Sequence, residues 1–245
     1  MKIKFALSLA LLIILACSHL VYRYARFYNT IGKINLQSPY KQTTFSLENP
    51  KKEGSAKYVA LGDSLTAGVG SKKVKTTFVY QVAENLSGQF GRVEVVNLGR
   101  PGSTSADLIV DQLTVAVSEK PDYVTLLIGI NDIHNKVGVA EYKTRMVLIL
   151  DELLTKTSAQ IVLINLPYLG DYTAIPFPLD KLLDLRTKQF NKVIEEYKGR
   201  DRIRLVDLYG SSGPSFSYRP EFYASDHFHP SDEGYLFWGM VINAN

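Results

Sequence analysis

From residue 58 onward, short apolar runs alternate along the chain with stretches of helical periodicity. The apolar runs predict five β-strands, over Tyr58–Leu61, Val93–Asn97, Tyr123–Ile128, Ile161–Leu166 and Ile203–Leu208. The periodic stretches predict helices over Phe78–Phe90, Ser105–Ser118, Ala140–Leu154 and Asp180–Tyr197, with a final helix after Ser231. Because the strand sequences are mostly apolar and too continuous for a sheet with one exposed face, the pattern indicates an α/β fold whose parallel sheet is covered by helices on both faces.

The chain begins with a different pattern. A basic start precedes an apolar run, and no Lys, Arg, Asp or Glu occurs in the 18 residues from Phe5 to Tyr22. A basic start, an apolar run and a small residue before Cys17 are typical of a secretory signal, and Ile14–Cys17 resembles the bacterial lipobox. The same run approaches the length of about 17–25 residues that a membrane-spanning helix needs. Both interpretations of residues 1–29 place the following domain outside the cytoplasm, attached to a membrane.

Residues 30–56 separate this segment from the regular pattern. They are polar, show no sustained period, and contain Pro39, Pro50 and Gly54 as breakers. The sequence therefore predicts a linker over residues 30–56 and one domain over residues 57–245.

Composition narrows the choice of function classes. The chain has 245 residues, enough for one domain with a large core. Its formal net charge of +4 is spread along the sequence, which argues against a nucleic-acid partner. Cys17 is the single cysteine, so no disulfide can form within the chain.

Polar residues follow three of the predicted strands directly. Ser64 comes just after the first strand, residues 98–104 after the second, and residues 129–132 after the third. Because the carboxyl ends of parallel strands meet at one edge, where such sheets bind their ligands, these loops are expected to lie together.

A serine at that edge needs a base before it can attack a carbonyl carbon, and a carboxylate commonly orients the base. Asp226 and His229 are three residues apart, close enough to point the same way. A tetrahedral intermediate also needs hydrogen-bond donors for its oxyanion. The backbone N–H groups of Ser64 and Gly102 and the side-chain amide of Asn131 can provide them.

Other interpretations of these residues are weaker. The stretch 62–73 lacks the Gly-x-x-x-x-Gly-Lys-Ser/Thr spacing of a phosphate-binding loop. Thr66 stands where the serine elbow of α/β-hydrolases has its second glycine. His227 and His229, with Asp226 and Asp232, leave a metal site as an alternative, but no further His or Cys cluster supports one.

Four short blocks carry a family resemblance. The chain resembles the SGNH hydrolases, or GDSL esterases and lipases, in Gly62–Leu65, in Gly102, in Gly129–Asp132 and in Asp226–His229. The resemblance implies a three-layer α/β/α sandwich with a five-stranded, flavodoxin-like parallel sheet. It implies a triad of Ser64, Asp226 and His229, and an oxyanion hole of Ser64, Gly102 and Asn131. It implies no cofactor and no metal.

These observations predict a membrane-tethered serine esterase that forms an acyl-enzyme. The segment 167–185 is apolar and proline-rich, and it suggests an acyl-binding groove for a lipid or lysophospholipid ester. Two alternatives remain at this stage: an O-acetyl esterase acting on cell-wall or other polysaccharides, and a non-catalytic carbohydrate-binding module on the same fold. Acyl transfer to an alcohol would use the same residues as hydrolysis.

Overall fold

A mixed six-stranded sheet lies at the centre of the computed structural model, which describes residues 2–33, 37–168, 170 and 175–244. The strands are β1 (Thr44–Glu48), β2 (Ser55–Gly62), β3 (Arg92–Asn97), β4 (Tyr123–Leu127), β5 (Gln160–Ile164) and β6 (Ile203–Val206). They lie in the order β1-β3-β2-β4-β5-β6. Strand β1 runs antiparallel to β3, and all the other neighbours are parallel.

Helices cover both faces of this sheet. The helices of the described residues are α1 (Lys2–Lys33), α2 (Phe78–Ser87), α3 (Ser105–Leu108), α4 (Thr114–Ser118), α5 (Ile130–His134), α6 (Val139–Lys156), α7 (Leu179–Glu195), α8 (Leu208–Ser217) and α9 (Asp232–Asn243), and all but α1 belong to the domain. Helix α9 packs against α2 and α8, while α6 packs against α3, α4 and α7. These two groups of helices form the outer layers of a three-layer sandwich, because the central strands are buried along nearly their whole length.

The five predicted strands are all present, and they alone make up the parallel part of the sheet. Their order, β3-β2-β4-β5-β6, is that of a flavodoxin-like fold, so the predicted architecture is confirmed. The chain moves from β2 to one side to form β3 and then returns to the other side to form β4. The loop after β2 therefore lies where the strand order reverses, which is the usual ligand site in such sheets.

The predicted linker is wrong for part of its length, because β1 lies within it. Phe45 and Leu47 alternate with polar residues, and only these two side chains of the strand are half-buried. Tyr40 stacks on Phe45 and bonds to the Thr77 hydroxyl, so this stretch belongs to the domain. Five residues with two inward positions are too short a pattern to stand out in sequence. Residues 34–36 lie outside the described part.

The helix predicted over Ser105–Ser118 is interrupted by one π-helical turn, Ile109–Leu113, between α3 and α4. Helices α5 and α8 were not predicted. The first is only five residues long, and the second contains Gly213 in a non-helical conformation, so neither presents a sustained helical period.

Helix α1 contains a 21-residue stretch, Leu7–Phe27, that is long and apolar enough to cross a bilayer. The side chains from Leu7 to Arg26 are exposed, and Phe27 packs against the domain core. Phe27 therefore joins the carboxyl-terminal part of α1 to the domain.

Candidate active site

Ser64 stands two residues past the end of β2, in a half-buried position. Gly62 precedes it with a φ of 156°, and a Cβ at Gly62 would lie 2.3 Å from the carbonyl oxygen of Leu127. Only glycine allows the two strand ends to approach this closely. The glycine of the first block thus sets where the chain leaves the sheet and where Ser64 is presented.

Gln112 holds the backbone just before this serine. Its buried side chain accepts a hydrogen bond from the Gly62 N–H at 3.0 Å and donates one to the Gly62 carbonyl at 2.8 Å. Gln112 lies in the π-helical turn, and π-bulges are frequent near functional sites. Sequence reasoning missed this residue, because nothing in the local pattern marks a side chain that contacts a strand 50 residues away.

Ser64, His229 and Asp226 are connected by hydrogen bonds in that order. The Ser64 Oγ lies 2.9 Å from His229 Nε2, and His229 Nδ1 lies 2.5 Å from Asp226 Oδ2. This geometry allows the imidazole to take the serine proton while the carboxylate faces the other ring nitrogen. The structure therefore brings together all three residues of the predicted triad.

Asp226 is held in its ionised form. Burial raises the pKa of its carboxyl, but hydrogen bonds from His229 and from the N–H groups of Phe228 and His229 outweigh this effect and lower the pKa below its ordinary value. A buried carboxylate with several donors is a stable anion. It can therefore stabilise a positively charged imidazole beside it.

A tight loop sets the orientation of His229. The His229 carbonyl accepts from the Ala224 N–H at 2.8 Å, and Tyr223 forms an antiparallel bridge with Pro230. His227 takes a left-handed conformation inside the loop, with a φ of 58°. These bonds close the chain on itself, so that Asp226 and His229 face each other from one loop.

The predicted oxyanion donors lie on the loops that follow β3 and β4. Gly102 is exposed, with a φ of 84°, and no atom lies within 4 Å of the position that a Cβ would take there. The Asn131 side-chain amide donates to the Ser103 carbonyl at 2.9 Å. Arg100 N–H donates to the Gly62 carbonyl and ties the β3 loop to the turn of Ser64. The two predicted donors thus lie on adjoining loops beside the serine turn.

Two acidic residues of the motifs have structural partners. Asp132 is fully buried and accepts from the N–H and hydroxyl of Ser105 and from Arg145. It therefore joins α5 to the start of α3. Asp63 accepts from the Leu65 N–H, and its other oxygen has no hydrogen-bond partner among the described residues. Burial raises the pKa of Asp63 to about 7.

The structure does not support the alternative metal site of His227, His229, Asp226 and Asp232. Asp232 accepts hydrogen bonds from Ser71, from Thr76 and from the N–H of Lys72. Across the described ranges, no three His, Cys, Asp or Glu side chains form a group that could hold a metal ion. His229 is directed to Ser64 and Asp226.

Two aromatic rings, those of Phe228 and His134, lie beside His229. We call the loop from Tyr223 to Pro230, which holds Asp226 and His229, the catalytic loop. Phe228 contacts the His229 ring edge-on at 5.1 Å and the His134 ring at 5.3 Å. Burial, together with the charge of His229, lowers the pKa of His134, which therefore stays neutral. Sequence reasoning assigned His134 no role.

The predicted acyl groove, residues 167–185, divides into two parts. Residues 169 and 171–174 lie outside the described part of the chain. Gly170 and Ile175 are next to the catalytic loop, since a Cβ at Gly170 would lie 3.1 Å from the His227 carbonyl and 2.9 Å from Ile175. Pro176–Leu179 and Leu182 instead line a cleft together with side chains of α1.

Solved structures of lipases and esterases have a similar fold. A structure of a lipase/acylhydrolase from Enterococcus faecalis shares 27% identity and superposes with a TM-score of 0.60, covering 77% of this chain and 94% of the other. An acetylxylan esterase from Geobacillus stearothermophilus shares 22% identity, with a TM-score of 0.58 and coverage of 78% and 94%. A lipase from a goat rumen metagenome shares 20%, with a TM-score of 0.62 and coverage of 77% and 96%. No curated protein matches the chain significantly.

The family model of the GDSL-like lipases and acylhydrolases matches residues 60–236, which hold all four sequence blocks and most of the sheet. The match begins in β2 and ends in α9, so it spans the elements that position the site. The chain belongs to the GDSL-like lipase/acylhydrolase family, and it is an enzyme that hydrolyses esters.

Proposed function

We propose that this chain is a membrane-tethered, extracytoplasmic serine esterase whose substrates are lipid or lysophospholipid esters. The observation that carries the catalytic part is the chain of hydrogen bonds from Ser64 through His229 to Asp226, at 2.9 and 2.5 Å.

In the first step, His229 Nε2 takes the proton of Ser64 Oγ as this oxygen attacks the ester carbonyl carbon. The new C–O bond converts the carbonyl oxygen into an oxyanion. Asp226 stabilises the imidazolium that forms, without taking the proton itself. The low pKa of the Asp226 carboxyl supports this role, because the residue stays charged at neutral pH.

The oxyanion is stabilised by the N–H groups of Ser64 and Gly102 and by the Asn131 amide. Such donors act most strongly on the transition state, where the charge develops. The intermediate then collapses: the bond to the alcohol oxygen breaks, and His229 returns its proton to that oxygen. The acyl group remains on Ser64.

Water completes the cycle. His229 removes a proton from a water molecule, which attacks the acyl carbon, and the second oxyanion occupies the same donors. The ester bond to Ser64 breaks, the proton returns to Ser64 Oγ, and the carboxylic acid leaves. No step requires a cofactor.

Helix α1 supports the tether. Its stretch Leu7–Phe27 is long and apolar enough to cross a bilayer, and its side chains up to Arg26 are exposed. An exposed row of Leu and Ile side chains in water is costly, at roughly 1.5–3 kcal/mol for each large side chain. Burial of this stretch in lipid removes that cost.

The surroundings of the catalytic loop support an acyl-chain substrate. Phe228 places an aromatic ring against the ring of His229, and Gly170 and the buried Ile175 lie beside the same loop. The similar structure from Enterococcus faecalis is a lipase/acylhydrolase, which agrees with this substrate class.

A substrate panel tests the proposal. The full chain, reconstituted in vesicles, is assayed on acetyl, butyryl and long-chain esters and on a lysophospholipid. We expect kcat/KM to rise with acyl length in the wild type and to rise less in Phe228→Ala. Hydrolysis confined to acetyl esters would favour an O-acetyl esterase. A folded chain that binds carbohydrate and hydrolyses none of these esters would indicate a binding module.

A further inference from the structure

An exposed apolar patch lies where β5 leads into α7. We define the Phe177 patch as Phe177, Leu182, Leu185 and Tyr218, whose side chains are between 52% and 66% exposed. Leu182 and Leu185 are three residues apart on one face of α7, and the Tyr218 side chain is close enough to Lys181 to interact with its charge. Four large, exposed apolar or aromatic side chains in one region commonly mark an interaction surface.

A cleft lies between helix α1 and this patch. Three side chains of α1 line it together with residues of the loop before α7 and of the first turn of α7; the lining residues are Leu20, Val21, Tyr24, Pro176, Phe177, Pro178, Leu179 and Leu182. Apart from the Tyr24 hydroxyl, every lining side chain is apolar. The medium that surrounds α1 at the level of Leu20 and Tyr24 therefore also surrounds the patch.

The level of this cleft along α1 follows from helix geometry. Lys4 and Arg23 bracket 18 uncharged residues, and at a rise of 1.5 Å per residue these span about 27 Å. A bilayer's hydrocarbon core is about 30 Å thick, so Arg23 lies near one boundary when the helix spans it. Leu20 and Val21 then lie just inside this boundary, and Tyr24 lies at the headgroups.

The residues around this boundary match a membrane–water interface. Tyr22 and Tyr24 accompany Arg23 and Arg26 on α1, and no acidic residue occurs from Met1 to Lys33. Tyrosines are enriched at membrane interfaces, and basic side chains favour anionic headgroups. On the domain side, Lys181 beside the patch is paired with Asp180 at 3.3 Å, so this pair adds no net charge.

The patch is also linked to the active site. Gly170, seven residues before Phe177, lies close to Asp226 and His229, since a Cβ at Gly170 would be 3.1 Å from the His227 carbonyl and 3.4 Å from the Phe228 ring. The segment that ends at Phe177 starts after β5, at the carboxyl edge of the sheet, where Ser64 also lies. A bilayer that covers the Phe177 patch therefore lies on the side of the molecule that holds the catalytic loop.

We propose that the Phe177 patch inserts into the interface of the same bilayer that α1 crosses. The domain is then docked on the lipid surface with its catalytic edge toward the membrane, and it can take a single-chain lipid ester directly from the bilayer. This inference rests on the proposed tether, and it adds a second contact with lipid that the tether alone does not require.

Quenching of tryptophan fluorescence by brominated lipid tests the docking. The chain has one tryptophan, Trp238, which is 2% exposed and serves as a constant background. Full-length Leu182→Trp is reconstituted in phosphatidylcholine vesicles, with plain or brominated acyl chains. The matched control is Met240→Trp, an exposed apolar position on α9, in the opposite helix layer. Leu12→Trp reports separately on the insertion of α1.

We expect brominated lipid to remove much of the added emission of Leu182→Trp and of Leu12→Trp, and to leave Met240→Trp unchanged. Leu185→Trp provides a second reporter in the same patch. If Leu12→Trp is quenched while Leu182→Trp and Leu185→Trp behave like Met240→Trp, the docking is refuted and the tether stands. If Leu12→Trp is not quenched in a chain that keeps residues 1–16, the membrane-spanning tether is refuted, and the docking with it. Hydrolysis of a soluble ester in the same samples reports on the catalytic proposal independently.

Discussion

The side-chain amide of Asn131 donates a hydrogen bond to the main-chain carbonyl of Ser103, the residue after Gly102, at 2.9 Å. A carbonyl oxygen can only accept, so this bond fixes the amide with its nitrogen toward the β3 loop. An amide nitrogen carries two N–H groups, and one of them remains for a substrate oxyanion. The bond therefore orients Asn131 and joins the start of α5 to the loop after β3, which contains Gly102.

The first prediction concerns this amide. Asn131→Ala should lower kcat by about 100- to 1,000-fold with little change in KM, because an oxyanion donor acts mainly on the transition state. Steady-state kinetics on one soluble ester measures both constants. Asn131→Asp keeps the side-chain shape but has no N–H, so it should be at least as impaired. A variant that keeps its kcat and loses only affinity would make Asn131 a binding or helix-capping residue.

The second prediction concerns Asp63. Burial raises the pKa of this carboxyl from 3.8 to about 7, so the native state holds its proton more tightly than the unfolded chain does. The stability gained from the protonated form is complete below about pH 4 and is lost as the pH rises through about 7, at up to roughly 1.4 kcal/mol per pH unit. Asp63→Asn imitates the protonated side chain and should not show this loss.

Urea unfolding of the wild type and of Asp63→Asn, between about pH 4 and pH 8, measures the difference. We expect the free energy of unfolding of the wild type to fall by a few kcal/mol relative to the variant across this range. Parallel curves for the two proteins would show that Asp63 titrates normally.

The third prediction separates the two forms of tether. If the lipobox-like stretch before Cys17 is processed, the mature chain begins at Cys17 and carries fatty acid, and Cys17→Ser leaves the precursor uncut and unlabelled. If α1 is retained as an anchor, wild type and Cys17→Ser both keep the full-length mass. Mass spectrometry of membrane fractions distinguishes the two. A cut, lipid-free protein in the soluble fraction would contradict both forms.

The fourth prediction concerns substrate access. Leu182→Ser combined with Leu185→Ser should lower the hydrolysis of a bilayer-held ester by about tenfold or more, because each large apolar side chain moved into lipid contributes roughly 1.5–3 kcal/mol. Hydrolysis of a soluble short-chain ester should not change. Met240→Ser is the matched control, and it should hydrolyse both substrates normally. An equal loss on both substrates would mean that the variant disturbs the site itself.

Sequence alone predicted the parts of the fold that depend on local patterns. Each of the five parallel strands contains a mostly apolar run, and each long helix has a clear period, so both types were recognisable. Strand β1 was missed because Phe45 and Leu47 are its only inward side chains. Its place in the sheet depends on pairing with β3, whose partner residues lie 44 to 52 positions away.

The candidate site also contains some residues that local sequence patterns predict and others that only the packing of distant segments reveals. Ser64, Asp226 and His229 were predicted because short blocks contain them, and hydrogen bonds connect them in the structure. Gln112 and the cleft that α1 and Phe177 both line were not predicted, because each depends on how distant segments pack. A single sequence does not encode such contacts in any local pattern.

Labelling with a fluorophosphonate probe is the measurement that tests the central claim most directly. The wild-type chain should be labelled on the peptide that contains Ser64. Ser64→Ala should lose both the label and ester hydrolysis while keeping its circular dichroism spectrum and unfolding midpoint, because the Ser64 hydroxyl bonds only to His229 among the described residues. A folded Ser64→Ala protein that hydrolyses esters at the wild-type rate would contradict the account.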